Sequence, residues 1–81
     1  MTYKVIDSGV VSYDIGIGMN AVSDGSKRWE DNILRNRLLR ISTQHGITET
    51  KSILGNNAQT IVLNSGFSVN IRAGATYEIL D

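Results

Sequence analysis

The most regular pattern in the chain is an alternation of apolar and polar positions between residues 10 and 22. One parity is apolar throughout, and the other holds Ser, Asp, Gly and Asn. A period of two over this length predicts a strand with one buried face and one exposed face. The β-forming residues of segment 2–7 predict a shorter strand before it. The apolar parity consists of Val11, Tyr13, Ile15, Ile17, Met19 and Ala21.

A different period follows, and it predicts the only helix, from Lys27 to about Thr43. Leu34, Leu38 and Ile41 are spaced i, i+4, i+7, which is typical of the core-facing side of a helix. A Ser-Asp-Gly-Ser turn precedes this segment, and its last serine is a favourable N-cap.

The second half of the chain predicts further strands separated by turns rich in Gly, Asn and Ser. The segments concerned are 47–54, 60–63, 67–72 and 76–79. The predicted fold is therefore α+β but mainly β. It is a small antiparallel sheet or sandwich of five to six short strands with one amphipathic helix, in the order β-β-α-β-β-β. Its length predicts a single domain over residues 1–81.

The composition excludes some classes of function but does not identify a particular one. The chain has 81 residues, no cysteine, one histidine, and equal numbers of basic and acidic side chains, eight of each. These counts exclude a disulfide scaffold and a cysteine-based zinc site. A chain this short buries only roughly 60–65% of its unfolded surface, and natural small domains often gain stability by oligomerisation. We therefore expect a homo-oligomer or a part of a larger protein assembly.

The charges are unevenly distributed along this neutral chain. Residues 24–41 carry five basic and three acidic side chains, a net charge of +2, and the remainder carries −2. Such complementary regions favour head-to-tail attraction between identical subunits, and exposed strand edges favour backbone pairing. On the predicted helix, Arg28 and Arg35 lie opposite the apolar stripe. Three environments are open for these two arginines: an acidic surface of another protein, a phosphate group, or solvent alone. The candidate interface or anion-binding residues are Arg28, Trp29, Arg35, Arg37, Arg40 and Arg72.

Two features that resemble chemical sites do not meet the physical requirements of those sites. A G-x-G-x-x-A pattern spans residues 16–21, but a dinucleotide turn needs a helix to begin there, and Ser23-Asp24-Gly25 ends any element instead. His45 has no nucleophile and carboxylate at a known catalytic spacing. It is interpreted as a residue at the C-terminus of the predicted helix. We expect no catalytic residue, no metal site, no cofactor and no enzymatic activity.

The leading functional hypothesis is a non-enzymatic structural or interaction protein that acts as an oligomer. Short alternating strands, Gly-Asn-Ser turns and the absence of cysteine are typical of small phage assembly proteins, so a phage-like virion component is its most concrete form. An alternative is a small protein that sequesters a nucleotide or other anionic ligand at a subunit interface. Nucleic-acid binding through the basic helix is a third hypothesis. The sequence shows no pattern of a signal peptide or a membrane-spanning segment, so we expect cytoplasmic synthesis and no membrane partner.

Overall fold

The described residues of the computed structural model, 3–42, 46 and 48–81, form one antiparallel β-sheet. No helix occurs within these ranges, so the prediction of an α+β fold with one amphipathic helix is wrong and the fold is all-β. The six strands are β1 (Val5–Val10), β2 (Ala21–Ser23), β3 (Leu38–Ser42), β4 (Thr48–Asn56), β5 (Thr60–Leu63) and β6 (Thr76–Leu80).

The sheet has the order β1-β6-β3-β4-β5-β2, which places β1 and β2 at its two ends. Just beyond β1, the Ser12 amide donates to the Ser23 carbonyl in β2 at 2.9 Å. The amide of Val10 donates to the Asp24 carboxylate at 3.3 Å. The sheet therefore curls into a partly closed ring, which is joined at this seam by one backbone hydrogen bond and one bond to a carboxylate.

The apolar core fills the inside of this ring. In β3, Leu39 and Ile41 are fully buried, and they pair with Ile79 and Tyr77 of the neighbouring β6. Alternate residues of each strand point inward, as the period of two requires. The remaining core side chains are Val11, Ile15, Val22, Leu34, Ile53, Ile61, Leu63, Phe67 and Ile71.

The segment predicted as a helix over residues 27–43 forms a run of tight turns and then β3. The amides of Ile33 and Arg35 bond to carbonyls three residues earlier, both at 3.2 Å. Asn32 and Asn36 have φ angles of 59° and 70°. This left-handed conformation interrupts an α-helix, and asparagine adopts it more readily than most other residues.

The buried side chain of Asn56, at the end of β4, holds these turns against the sheet. Its Oδ1 accepts the amide of Leu34 at 2.9 Å, and its Nδ2 donates to the carbonyl of Glu30 at 3.0 Å. These bonds satisfy backbone groups that a helix would have paired internally. Leu34 is thereby placed against the core, where it is 4% exposed.

The alternating segment 10–22 is interrupted by a tight turn and is not one long strand. The amide of Met19 bonds to the carbonyl of Gly16 at 3.1 Å, and Gly18 between them has a φ of 84°. The G-x-G-x-x-A pattern is therefore a tight turn. Only part of the apolar parity is buried, because Tyr13, Ile17 and Met19 remain exposed.

The prediction of a strand over residues 67–72 is also wrong. This segment contributes one isolated bridge, between Ile71 and Ile15. The interpretation of His45 as a residue at a helix end lies outside the described residues, as does Ile47 at the start of the segment 47–54.

Candidate interaction surface

The outer side of the β4–β5–β2 half of the ring carries no charged side chain. Burial alternates along each of these described strands, so every second side chain points outward. We call this surface the charge-free face. Its outward residues are Thr48, Thr50, Ser52 and Leu54 of β4, Thr60 and Val62 of β5, and Ala21 and Ser23 of β2.

An apolar stripe crosses the middle of the charge-free face. Val62 pairs with Ala21 on one side and with Gly55 on the other. Leu54 is the extra residue where the register shifts between Ile53 and Gly55. Leu54 is 56% exposed and Val62 is 40% exposed. Contiguous exposed apolar surface with a polar margin is typical of a protein-interaction site.

The polar margin of the stripe is ordered by its own hydrogen bonds. Below the stripe, the hydroxyl groups of Ser23 and Thr60 bond to each other at 2.9 Å. They are a directly opposed pair in the register of β2 and β5. Satisfied neutral groups cost little to bury against another protein, whereas unpaired charges cost several kcal/mol each.

The two charged residues of β4 lie on the inward parity and are kept from this face. The Lys51 ammonium lies 3.6 Å from the Glu49 carboxylate, and their side chains are only 19% and 11% exposed. Glu49 also accepts the hydroxyl of Ser68 at 2.9 Å. The charge-free face is therefore a consequence of strand alternation, since charges are present in the same strand.

The other half of the ring, β1–β6–β3, carries ion pairs on its outer side, and its Arg40 is directly opposed to Thr50 at the border of the charge-free face. Arg40 of β3 donates through Nε to Glu78 of β6 at 3.0 Å, and the two residues are directly opposed. Arg37 bonds to Asp81 beside them. Both pairs join the positive region 24–41 to the negative remainder of the same chain. Arg37 and Arg40 are therefore paired within one molecule and do not supply the predicted attraction between subunits.

Trp29, a candidate interface residue, belongs largely to the fold. Its Nε1 donates to Asp7 of β1 at 2.8 Å, and its ring packs against the core. Lys27 bonds to the other oxygen of Asp7 at 2.8 Å and to the Ser8 carbonyl at 2.6 Å. Burial of Asp7 opposes its ionisation, but the bonds from Lys27 and Trp29 outweigh this effect and lower its pKa.

The remaining predicted site residues are Arg28, Arg35 and Arg72, and the structure does not bring them into one cluster. Among the described residues, none of the three has a carboxylate partner within the 4.0 Å of an ion pair. Arg28 and Arg35 lie on the exposed turns that replace the helix. The common basic helical face does not exist, so nucleic-acid binding through it has no geometric basis. Arg72 lies apart from them, beside a cavity described below.

Sequence reasoning missed the buried pair that fastens the seam, Asp24 and Tyr77. Tyr77 Oη donates to Asp24 Oδ2 at 2.6 Å, while the Ser26 hydroxyl donates to Oδ1 at 2.6 Å. Burial opposes ionisation of Asp24, but these bonds and the amides of Ser26 and Val10 prevail and lower its pKa. Burial and the adjacent carboxylate raise the pKa of Tyr77. The pair is thus a carboxylate with a neutral phenol.

Within the described ranges, no group of three His, Cys, Asp or Glu side chains is placed to hold a metal ion. In the same part of the chain, no helix has the length and apolarity needed to cross a membrane. In comparisons with protein families, with curated proteins and with solved structures, nothing matches the chain. Any functional assignment therefore rests on the geometry of its own residues.

Proposed function

We propose that the chain is a non-enzymatic interaction protein that forms a homo-oligomer through the charge-free face. The observation that carries this proposal is the contrast between the two halves of the ring. Both sides expose apolar side chains, which are Val5, Ile6 and Val10 in β1 and Leu54 and Val62 in β4 and β5, but of the described strands only β3 and β6 carry ion pairs across their strands. The centres of protein interfaces are depleted of charged residues in the same way.

A second copy of the chain is the partner that this surface favours. Two charge-free faces bury one another without leaving an unpaired charge on either side. A stable interface takes roughly 800 Å² from each partner. This is about one sixth of the 4901 Å² of accessible surface of one chain.

The most concrete form of the proposal is a subunit of a larger particle, such as a phage-like virion. Repeated contacts between identical small subunits build closed assemblies when their rotation closes. Electron microscopy of the concentrated protein tests this form. Closed or extended assemblies of uniform width support it, and isolated dimers restrict the proposal to a simple oligomer.

The test of the oligomer itself is the native mass at micromolar concentration, measured by sedimentation equilibrium. A monomer has a mass of 8.9 kDa, and we expect the wild-type protein to exceed it. Val62→Lys introduces a charge into the apolar stripe and should reduce the mass to that of a monomer. Val10→Lys is the matched control, because Val10 is 49% exposed on the other half of the ring. Wild-type protein that is monomeric, or equal dissociation of both variants, would contradict the proposal.

The dependence of the native mass on salt distinguishes this interface from the pairing of opposite charges between subunits that the sequence predicts. Association through opposite charges weakens as salt screens them. Association through an apolar stripe does not weaken, so we expect the same native mass at low and high sodium chloride. Arg35→Glu should likewise leave the mass unchanged. Loss of association in Arg35→Glu, or at high salt, would indicate that charges hold the subunits together.

A further inference from the structure

A cavity of about 300 Å³ lies beside Arg72. It is formed where the turn after residue 72 meets the ends of β3 and β6. No carboxylate is among its described lining residues. They are Ser42, Asn70, Arg72, Ala73, Gly74, Ala75 and Thr76.

The backbone at Arg72 is fixed by its neighbours. The amide of Ala75 bonds to the Arg72 carbonyl at 3.1 Å, and the amide of Ala73 bonds to Asp14 at 2.8 Å. Gly74 has a φ of 97°, a conformation that favours glycine at this position of a turn. The turn therefore presents Arg72 from a defined place, and its small residues leave the cavity open.

Polar groups of three types line the cavity, and two of the residues, Asn70 and Arg72, also line a second cavity beside Asp14. Ser42 and Thr76 are directly opposed in the register of β3 and β6, so their side chains are neighbours. Asn70 accepts the amide of Ile17 through Oδ1 at 3.1 Å, which leaves its NH₂ group for a ligand. Arg72 has no carboxylate within ion-pair distance among the described residues. Lys27, Arg37 and Arg40, by contrast, each have one.

We propose that this cavity binds a small hydroxylated oxyanion, such as a sugar phosphate or a sugar acid. The planar guanidinium of Arg72 presents two parallel N–H groups that match two oxygens of a phosphate or carboxylate. The hydroxyl groups of Ser42 and Thr76 both donate and accept, which suits the hydroxyl groups of a ligand. The volume lies at the lower end of the range for small-molecule sites, which excludes large ligands. This inference does not depend on the proposed oligomer.

The test is a titration of the ¹⁵N-labelled full chain at low salt, followed by NMR. The probes are glucose 6-phosphate, gluconate and neutral glucose. We expect saturable shifts of the Gly74, Ala75 and Thr76 amides with at least one of the two anions and none with glucose. The anion that binds more tightly identifies phosphate or carboxylate as the preferred group. The absence of saturable shifts at millimolar concentrations of both anions would overturn the proposal.

Two sets of variants make the assignment specific. Arg72→Gln should weaken the better anion by about tenfold or more, as expected for loss of a charged hydrogen bond. Arg28→Gln removes an exposed cation outside the cavity and should leave the affinity unchanged. Equal weakening by both would show only general charge attraction and would refute the site. Thr76→Val should weaken the hydroxylated probe but not inorganic phosphate, and equal loss of both would refute the role assigned to the hydroxyl group.

Discussion

Replacing Tyr77 by Phe removes one hydroxyl group from the seam between β1 and β2 while keeping the ring in the core. Tyr77 is 1% exposed, and its hydroxyl donates to Asp24 at 2.6 Å. After the change, the Asp24 carboxylate keeps its bonds to Ser26 and Val10 but loses one of its two shortest. Because Asp24 is 3% exposed, bulk water does not readily replace the lost donor.

The magnitude follows from the charge on the acceptor. A hydrogen bond to a charged group contributes about 1.5–3 kcal/mol to stability. We therefore expect Tyr77→Phe to lower the free energy of unfolding by about 2 kcal/mol. For a domain of this size, that loss corresponds to a fall of roughly 8–16 °C in the melting temperature.

The effect should also depend on pH, with a sign fixed by the lowered pKa of Asp24. A group whose pKa is lowered on folding stabilises the protein above its unfolded value, here 3.8, and this contribution is lost as the pH falls through the folded value. Tyr77 is one cause of the lowering. The difference in stability between wild type and Tyr77→Phe should therefore be largest near pH 7 and shrink below pH 3.8.

Urea unfolding at neutral and acidic pH measures both effects, with far-UV circular dichroism and the fluorescence of the single Trp29 as signals. Tyr13→Phe is the matched control, since Tyr13 is 69% exposed. It should change the free energy of unfolding by less than about 0.5 kcal/mol. A loss of that small size in Tyr77→Phe, or a difference that does not change with pH, would refute the reasoning.

Three further predictions concern the same seam and the turns above it. Gly9→Ala would place a methyl group against the Asp24 carboxylate and the Tyr77 hydroxyl. We expect it to lower the free energy of unfolding by about 1–3 kcal/mol, and by less in a Tyr77→Phe background. A double-mutant cycle by urea unfolding measures the difference. Asn56→Ala leaves the amide of Leu34 unpaired, so we expect a loss of about 2–3 kcal/mol in urea unfolding and faster hydrogen exchange at that amide. Because the pKa of Tyr77 is raised above 10.0 on folding, its contribution is lost as the pH rises above that value. An alkaline unfolding series should show this loss in wild type but not in Tyr77→Phe.

The strands of the second half were predictable because their signals are local. Residues 60–63 are β5, and β4 and β6 lie within a few residues of their predicted bounds. A short apolar run in β5, the alternation in β6 and the asparagine turn near Asn57 suffice for such segments. The prediction of a strand at 67–72 was wrong, because this segment forms only one bridge, between Ile71 and Ile15.

The helix could not have been rejected from local signals alone. Leu34, Leu38 and Ile41 have helical spacing, but Leu39 and Ile41 have strand spacing, and a short apolar run satisfies both. The choice depends on β4 and β6, which pair with β3 from up to 42 residues away in the register of Leu38 with Leu80. The asparagines at 32 and 36 were the available warning, since they favour turns over helix interiors.

The charge-free face was predictable in part. Alternation in β4 and β5 separates Thr50, Ser52 and Leu54 from Glu49 and Lys51, and this separation is visible in the sequence. What the sequence does not contain is the neighbour relation of β2, β5 and β4, because Ala21 meets Val62 across 41 positions. The partners of the arginines are equally distant, as Arg40 and Glu78 show.

The ion pairs should make folding and the proposed self-association respond differently to salt. Arg37 with Asp81 and Arg40 with Glu78 are partly exposed, and exposed pairs contribute no more than about 1 kcal/mol each. High salt should therefore weaken folding slightly. An interface built on Leu54 and Val62 has no charge to screen, so its strength should hold under the same conditions. Since both quantities are measured on one protein, a fall in folding stability with unchanged association would separate the two halves of the ring by function.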